Sequence, residues 1–156
     1  MKLRLLIAAI PLAMIVSCGQ SGQHEHHEEA ATASKAASDS VYAIVMDDHN
    51  VGMEKMGKLK QYQDLCTKES DSIAAVLAKK KDPSLVARKA MLDSLKTSLK
   101  QAEDDMNKWM TGFEPDSAGT TEESKLKYYS AEKDKVGSIK DNMIAVLSRA
   151  DAAFKK

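Results

Sequence analysis

Residues 40–156 predict an all-α fold, an elongated up-down-up three-helix bundle, preceded by a short apolar leader and a polar tether. Three observations carry this expectation. Beyond Ser40 the chain is dominated by Ala, Lys, Leu, Met, Glu and Asp, which are helix formers, and has few β-branched runs. Apolar residues recur there at intervals of three and four over three long stretches, the period of a helix face rather than the alternation of a strand. Two boundary signatures separate the stretches: Asp82 followed by Pro83, and Thr120 with Glu123 three residues on.

The leader reads "MKLRLLIAAIPLAMIVSCGQ", with positive charges at Lys2 and Arg4 and an uncharged run from Leu5 to Val16. That run falls well short of the about 20 residues a membrane-spanning helix needs, so it reads as the central region of a signal peptide. Ile15-Val16-Ser17-Cys18 resembles the bacterial lipobox, with an aliphatic residue at −3, a small one at −1 and cysteine at +1. The resemblance implies a signal peptide over 1–17, diacylglycerol on Cys18, cleavage before it and acylation of the new amino terminus. Membrane lipid is then a partner, and the expected place is the bacterial cell envelope, at the periplasmic or surface face of the outer membrane. Each acyl CH₂ in lipid contributes about 0.8 kcal/mol, so two or three chains anchor essentially permanently. The competing reading is ordinary secretion with a chance cysteine near the cut.

Removing Lys2 and Arg4 from the 23 basic residues leaves 21 against 23 acidic ones. A nearly neutral domain gives no reason to expect nucleic acid as a partner. Cys66 is then the one unlipidated thiol, which excludes an intrachain disulfide framework. Its place on an apolar helical stripe predicts burial, with a metal thiolate or an intermolecular disulfide as the alternatives.

From Gly19 to Ser40 the chain reads "GQSGQHEHHEEAATASKAASDS" and has no large apolar residue. Ordering it would cost roughly 1–2 kcal/mol of backbone entropy per residue for little burial, so residues 18–39 are expected to form a disordered tether. His24, His26 and His27 alternate with carboxylates and suit weak capture of Zn²⁺, Cu²⁺ or Ni²⁺. The preferred reading is an ordinary polar linker, in which almost any polar residue serves. Glu25, Glu28 and Glu29 also resemble the acidic surface-export signals of lipoproteins in the Bacteroidota.

The first helix is expected over 40–79, with an inner stripe of Val41, Val45, His49, Met53, Met56, Leu59, Tyr62, Cys66, Ile73 and Leu77. Its weakest part is "CTKESDS" at 66–72, and a break near Ser70 would give a four-helix bundle. Asp82 caps the second helix, Pro83 opens it, and Leu92, Leu95, Leu99, Ala102, Met106, Trp109 and Phe113 form a 3-4-3-4 seam. Gly112 and Pro115 mark its end. The third helix follows the Thr120/Glu123 capping box with Leu126, Tyr129, Val136, Ile139, Met143, Val146, Ala150 and Ala153 inward. Short connections make neighbours antiparallel, and helices of this length give a bundle of roughly 45–60 Å.

No Gly-rich phosphate loop, HExxH, CxxC or G-x-S-x-G is present. The pairs Asp47/Asp48 and Asp104/Asp105 point apart on a helix and read as solvated faces, not as dyads. A hydrolase or redox pairing of His49 with Cys66 would have to span roughly 25 Å of continuous helix. The chain is therefore expected to be non-enzymatic, a binding or envelope-interaction module. Leu65, Leu85 and Tyr128 lie off the main seam and are candidates for a protein contact or self-association.

One stretch, "AIVMDDHNVGMEKMGKL" at 43–59, carries a more specific chemistry. If facing residues of the first two helices sum to about 163, Met53 faces Met110, Met56 faces Asn107, and His49 lies near Phe113. His49, Met53, Met106 and Met110 then form a candidate soft-metal site, with Met46 and Met56 one turn away. Thioethers and imidazole suit copper as Cu(I), and the Trp109 ring attracts cations. The reading preferred from sequence is a methionine-rich core with no cofactor, supported by an expected pairing of Met91 with Met143, and soft-metal binding is the alternative to it. The segments Met46–Leu65 and Asp104–Phe113 resemble small helical lipoproteins of Bacteroidota that lack an assigned activity. The second match is inexact, and no catalytic residues carry over from it.

Overall fold

The computed structural model describes the backbone of residues 28–155 and the side chains of residues 37–155. The leader, Cys18 and His24, His26 and His27 lie outside the described residues. Within them the chain forms α1 (Glu28–Leu77), α2 (Pro83–Gly112), a short 3-10 turn (Pro115–Ala118) and α3 (Glu122–Phe154). This is the expected all-α three-helix bundle. α1 packs along both other helices, and α2 and α3 close the third side.

The seam follows heptads. On α1 the residues Ser38, Val45, Gly52, Leu59, Cys66 and Ile73 are buried at intervals of seven, and Gln63 and Ser70 occupy the alternate seam row with His49, Met56 and Leu77. On α2 the buried set Leu92, Leu95, Leu99, Ala102, Met106 and Trp109 keeps the same 3-4 spacing. α3 does so with Glu132, Val136, Ile139, Met143, Val146 and Ala150. A seven-residue repeat keeps long helices in contact through a gentle left-handed supercoil.

α1 is continuous through 66–72, which rules out the four-helix alternative. Thr67 and Ser72 bond back to the carbonyls of Gln63 and Lys68, so their hydroxyls do not compete with the helix. Ser70 donates to Asp93 at 2.8 Å and Arg88 holds Glu69, fixing the polar stretch to α2. At its other end α1 begins at Glu28, well before residue 40 and inside the segment expected to be a tether. Extending an existing helix avoids the nucleation cost, and Glu, Ala and Lys there are good helix formers. At ~1.5 Å per residue its 50 residues span about 75 Å, longer than the expected bundle.

The Asp82 cap accepts from the amides of Ser84 and Leu85, with Pro83 in the first turn, as expected. The α3 cap is one residue later than the sequence suggested. Thr121, not Thr120, accepts from the Ser124 amide at 3.2 Å, and the Ser124 hydroxyl returns a bond to the Thr121 carbonyl. A Thr/Ser pair here does the work assigned to Glu123. The preceding turn needs Gly119, whose φ of 82° and ψ of −177° lie in a region that side chains disfavour.

Several inward assignments change. Met53 and Met91 are exposed, so the expected Met91–Met143 pairing does not form. Met143 instead lies in the core against Gly52, beside Met106. Asp48, read as solvated, has a side chain only 16 % exposed and pairs with Lys140 of α3 at 2.7 Å. Asp47 is exposed; Asp104 pairs with Lys100, and Asp105 accepts from Gln101, each one turn away. Of the residues considered for outside contacts, Leu65 is exposed, Leu85 packs against the core, and Tyr128 stacks near Phe113.

Candidate functional site

His49 projects from α1 against α2. Its Nε2 lies 3.3 Å from Met110 Sδ, its Nδ1 lies 3.2 Å from Asn50 Oδ1, and its ring centroid is 5.7 Å from that of Trp109. His49 and Met110 are both partly buried, so the contact is neither dry nor fully solvated. A neutral imidazole has a single N–H. Two tautomers fit these contacts: with the proton on Nε2 the ring donates to the Met110 sulfur, and with the proton on Nδ1 it donates to the Asn50 oxygen and turns the Nε2 lone pair toward the thioether. Only in the second tautomer do two electron-pair donors face each other.

The four residues expected to gather do so only in part. His49 and Met110 meet, about one turn out of the register that placed His49 by Phe113 and Met53 by Met110. Met106 is fully buried and points at Gly52, where an added Cβ would run into its Cε. It belongs to the core with Met143. Met53 is 39 % exposed, four residues beyond His49 on the same helix. Met56 packs against the core and Met46 is partly buried. No cluster of three or more His, Cys, Asp or Glu side chains suited to a metal ion occurs among the described residues. The thioether set is a different donor class.

Behind His49, Trp109 stacks on Phe113 at 4.8 Å, and Phe113 approaches Tyr42 and Tyr128. Five of the seven aromatic residues thus gather at this end, Tyr129 completing the group 5.0 Å from Tyr42. The Trp109 Nε1–H donates to Glu132 Oε2 at 2.9 Å, and Lys135 donates to Glu132 Oε1 at 2.6 Å. Sequence reading missed the buried Glu132. Two signals pointed to it: a seam position between Tyr129 and Val136, and a buried indole that needs an acceptor. A groove of about 420 Å³ opens here between α2 and α3, over Trp109, Glu132, Lys135 and Ile139.

The far end of the bundle is built for attachment of helices to one another. Arg88 makes a bidentate pair with Glu69 at 2.7 and 3.0 Å and donates twice to the Ala153 carbonyl at 3.2 Å, tying all three helices. Its hydrogen bonds hold the Glu69 carboxyl below the usual range. Tyr62 and Lys58 both donate to Asp151, and these bonds lower the Asp151 carboxyl likewise. Cys66 is fully buried, as expected, and burial pushes its thiol up, which suppresses the reactive thiolate. On continuous α1 it stands roughly 25 Å from His49, too far for shared chemistry.

Comparison with known protein families, with curated proteins and with solved structures finds no match to this chain. No helix among the described residues is long and apolar enough to cross a membrane.

Proposed function

We propose that this protein is a lipid-anchored, non-enzymatic helical lipoprotein of the bacterial envelope, acting as a binding or envelope-interaction module. The lipobox Ile15-Val16-Ser17-Cys18 carries the reading. An acylated Cys18 stands ten residues before the start of α1, so the anchor joins the bundle at the end that holds His49, Trp109 and the aromatic cluster. That end is the side from which a membrane-associated partner or ligand is met. Cys18→Ala should move the protein from the membrane fraction to the soluble fraction, and globomycin should make the unprocessed precursor accumulate. Unchanged processing and fractionation in Cys18→Ala would remove the anchor from the account.

A second reading, soft-metal binding with copper as the ion, is favoured by the contact of His49 Nε2 with Met110 Sδ. Imidazole nitrogen and thioether sulfur together suit a soft cation better than they suit Ca²⁺ or Mg²⁺. His24, His26 and His27 would add weaker sites nearer the anchor.

A further inference from the structure

We infer that His49 Nε2, Met110 Sδ and Met53 Sδ form a three-coordinate site for Cu(I) beside the Trp109 indole, an assignment that rests on the soft-metal reading. Three observations converge on it. The first is the lone-pair contact itself. In the tautomer that donates from Nδ1 to the Asn50 oxygen, the Nε2 lone pair is directed at the Met110 sulfur 3.3 Å away. That tautomer presents both donor atoms to one cation. The bond from Nδ1 to Asn50 also serves as the outer partner that metal-binding histidines generally have, fixing ring orientation and tautomer.

The second observation is distance. Metal bonds of about 2.0 Å to nitrogen and about 2.3 Å to sulfur close a triangle on the observed 3.3 Å edge at a bond angle near ~100°. A trigonal ion needs an edge of roughly 3.7 Å with the same bond lengths. Rotation about the flexible Met110 side chain supplies the difference without moving either helix. A linear two-coordinate ion would need roughly 4.3 Å and a larger separation.

The third is access to another thioether. Met53 follows His49 by four residues, on the same side of α1, and is exposed, so its sulfur is not committed to the core. Met106 is committed: its methyl fills the space left by Gly52 in the closed seam. The donor set is therefore one imidazole and two thioethers, which favours monovalent copper over Zn²⁺ or Cu²⁺. The Trp109 ring, 5.7 Å from that of His49, is placed to add cation–π attraction at the partly open edge.

Trp109 is the single tryptophan of the chain, so the site reports on itself. The test is anaerobic titration of the full chain with Cu(I) against a competing chromogenic chelator, following Trp109 fluorescence. Every variant carries His24→Ala, His26→Ala and His27→Ala to silence the tether. One equivalent should bind and quench the indole. His49→Ala and Met110→Leu should each weaken binding by at least about tenfold, and Met53→Leu by a similar factor, the scale on which even outer partners of metal sites act. Met106→Leu and Cys66→Ala should leave binding unchanged. Circular dichroism confirms that each variant is folded, and Met110→Leu keeps the fold test independent because it conserves volume. Absence of uptake overturns both the site and the soft-metal reading. Uptake that survives His49→Ala and Met110→Leu keeps soft-metal binding but removes this site. A Met53→Leu variant that binds as tightly as the parent, or a Met106→Leu variant that does not, overturns the ligand set.

Discussion

At the scale of single residues, the end that holds His49 and Trp109 is organised by positions whose importance hydropathy hides. Gly52 has no side chain, yet it sits on the same seam row as Val45 and Leu59 and admits the Met106 thioether. Reading only large apolar residues put Met53 inward, because the step from His49 to Met53 also fits a helix face. Glu132 was missed for the opposite reason: a carboxylate reads as surface until the buried Trp109 N–H demands an acceptor. Trp109→Phe should therefore cost about 1–3 kcal/mol beyond lost packing, since it removes a donor from a buried carboxylate. The measurement is a double-mutant cycle with Glu132→Gln by chemical denaturation, and additive effects would remove the claimed coupling. Gly119→Ala should lose about 1–3 kcal/mol, because φ of 82° with ψ of −177° is close to glycine-only territory and an added Cβ would also press on the Ser124 side chain at the α3 cap. An unchanged denaturation midpoint would show that the turn has another conformation.

At the scale of elements, existence and type of all three helices were legible, and the reason is the heptad. Leu92 to Trp109 on α2 states it almost without interruption. α1 states it poorly, since Ser38, Gly52, Gln63 and Ser70 occupy seam positions, and this made a break near Ser70 look natural. Those polar groups are satisfied across the interface: Ser38 by Glu122, Gln63 by Glu103 and Ser70 by Asp93. Partners on another helix are not visible in a local reading. The same holds for Arg88, which joins α1, α2 and the last turn of α3. Arg88→Lys keeps the charge but loses the planar fork. It should lower stability by about 1–2 kcal/mol after allowance for solvent screening, a fall of several degrees in thermal midpoint. Hydrogen exchange should show the loss first at the α3 C-terminus; uniform change along the bundle would contradict the clamp.

At the scale of the whole molecule, the ionisable groups set a stability plateau. Hydrogen bonds from Arg88 lower Glu69, those from Tyr62 and Lys58 lower Asp151, the Ser84 hydroxyl and the Leu85 amide lower Asp82, and Lys89 with Ser70 lowers Asp93. Depressed carboxylates contribute stability above their unfolded values near about 4, and that contribution is lost as pH falls through the folded values. Tyr62 is raised chiefly by its bond to Asp151, and Tyr129 and Cys66 chiefly by burial. Their contribution is present below their unfolded values and disappears as pH rises through the folded ones. Thermal midpoints should be nearly level between about pH 5 and pH 8 and decline on both sides. A decline beginning near neutrality would point to a group outside this set.

The bundle is proposed to be carried on a lipid-modified Cys18, with its His49 and Trp109 end nearest the anchor. Intact-mass spectrometry of the protein extracted from bacterial membranes with detergent tests it most directly. The predicted mass is that of residues 18–156 plus a diacylglyceryl group, with or without a further acyl chain on the amino terminus. A mass showing unmodified Cys18, or cleavage at another bond, would contradict it.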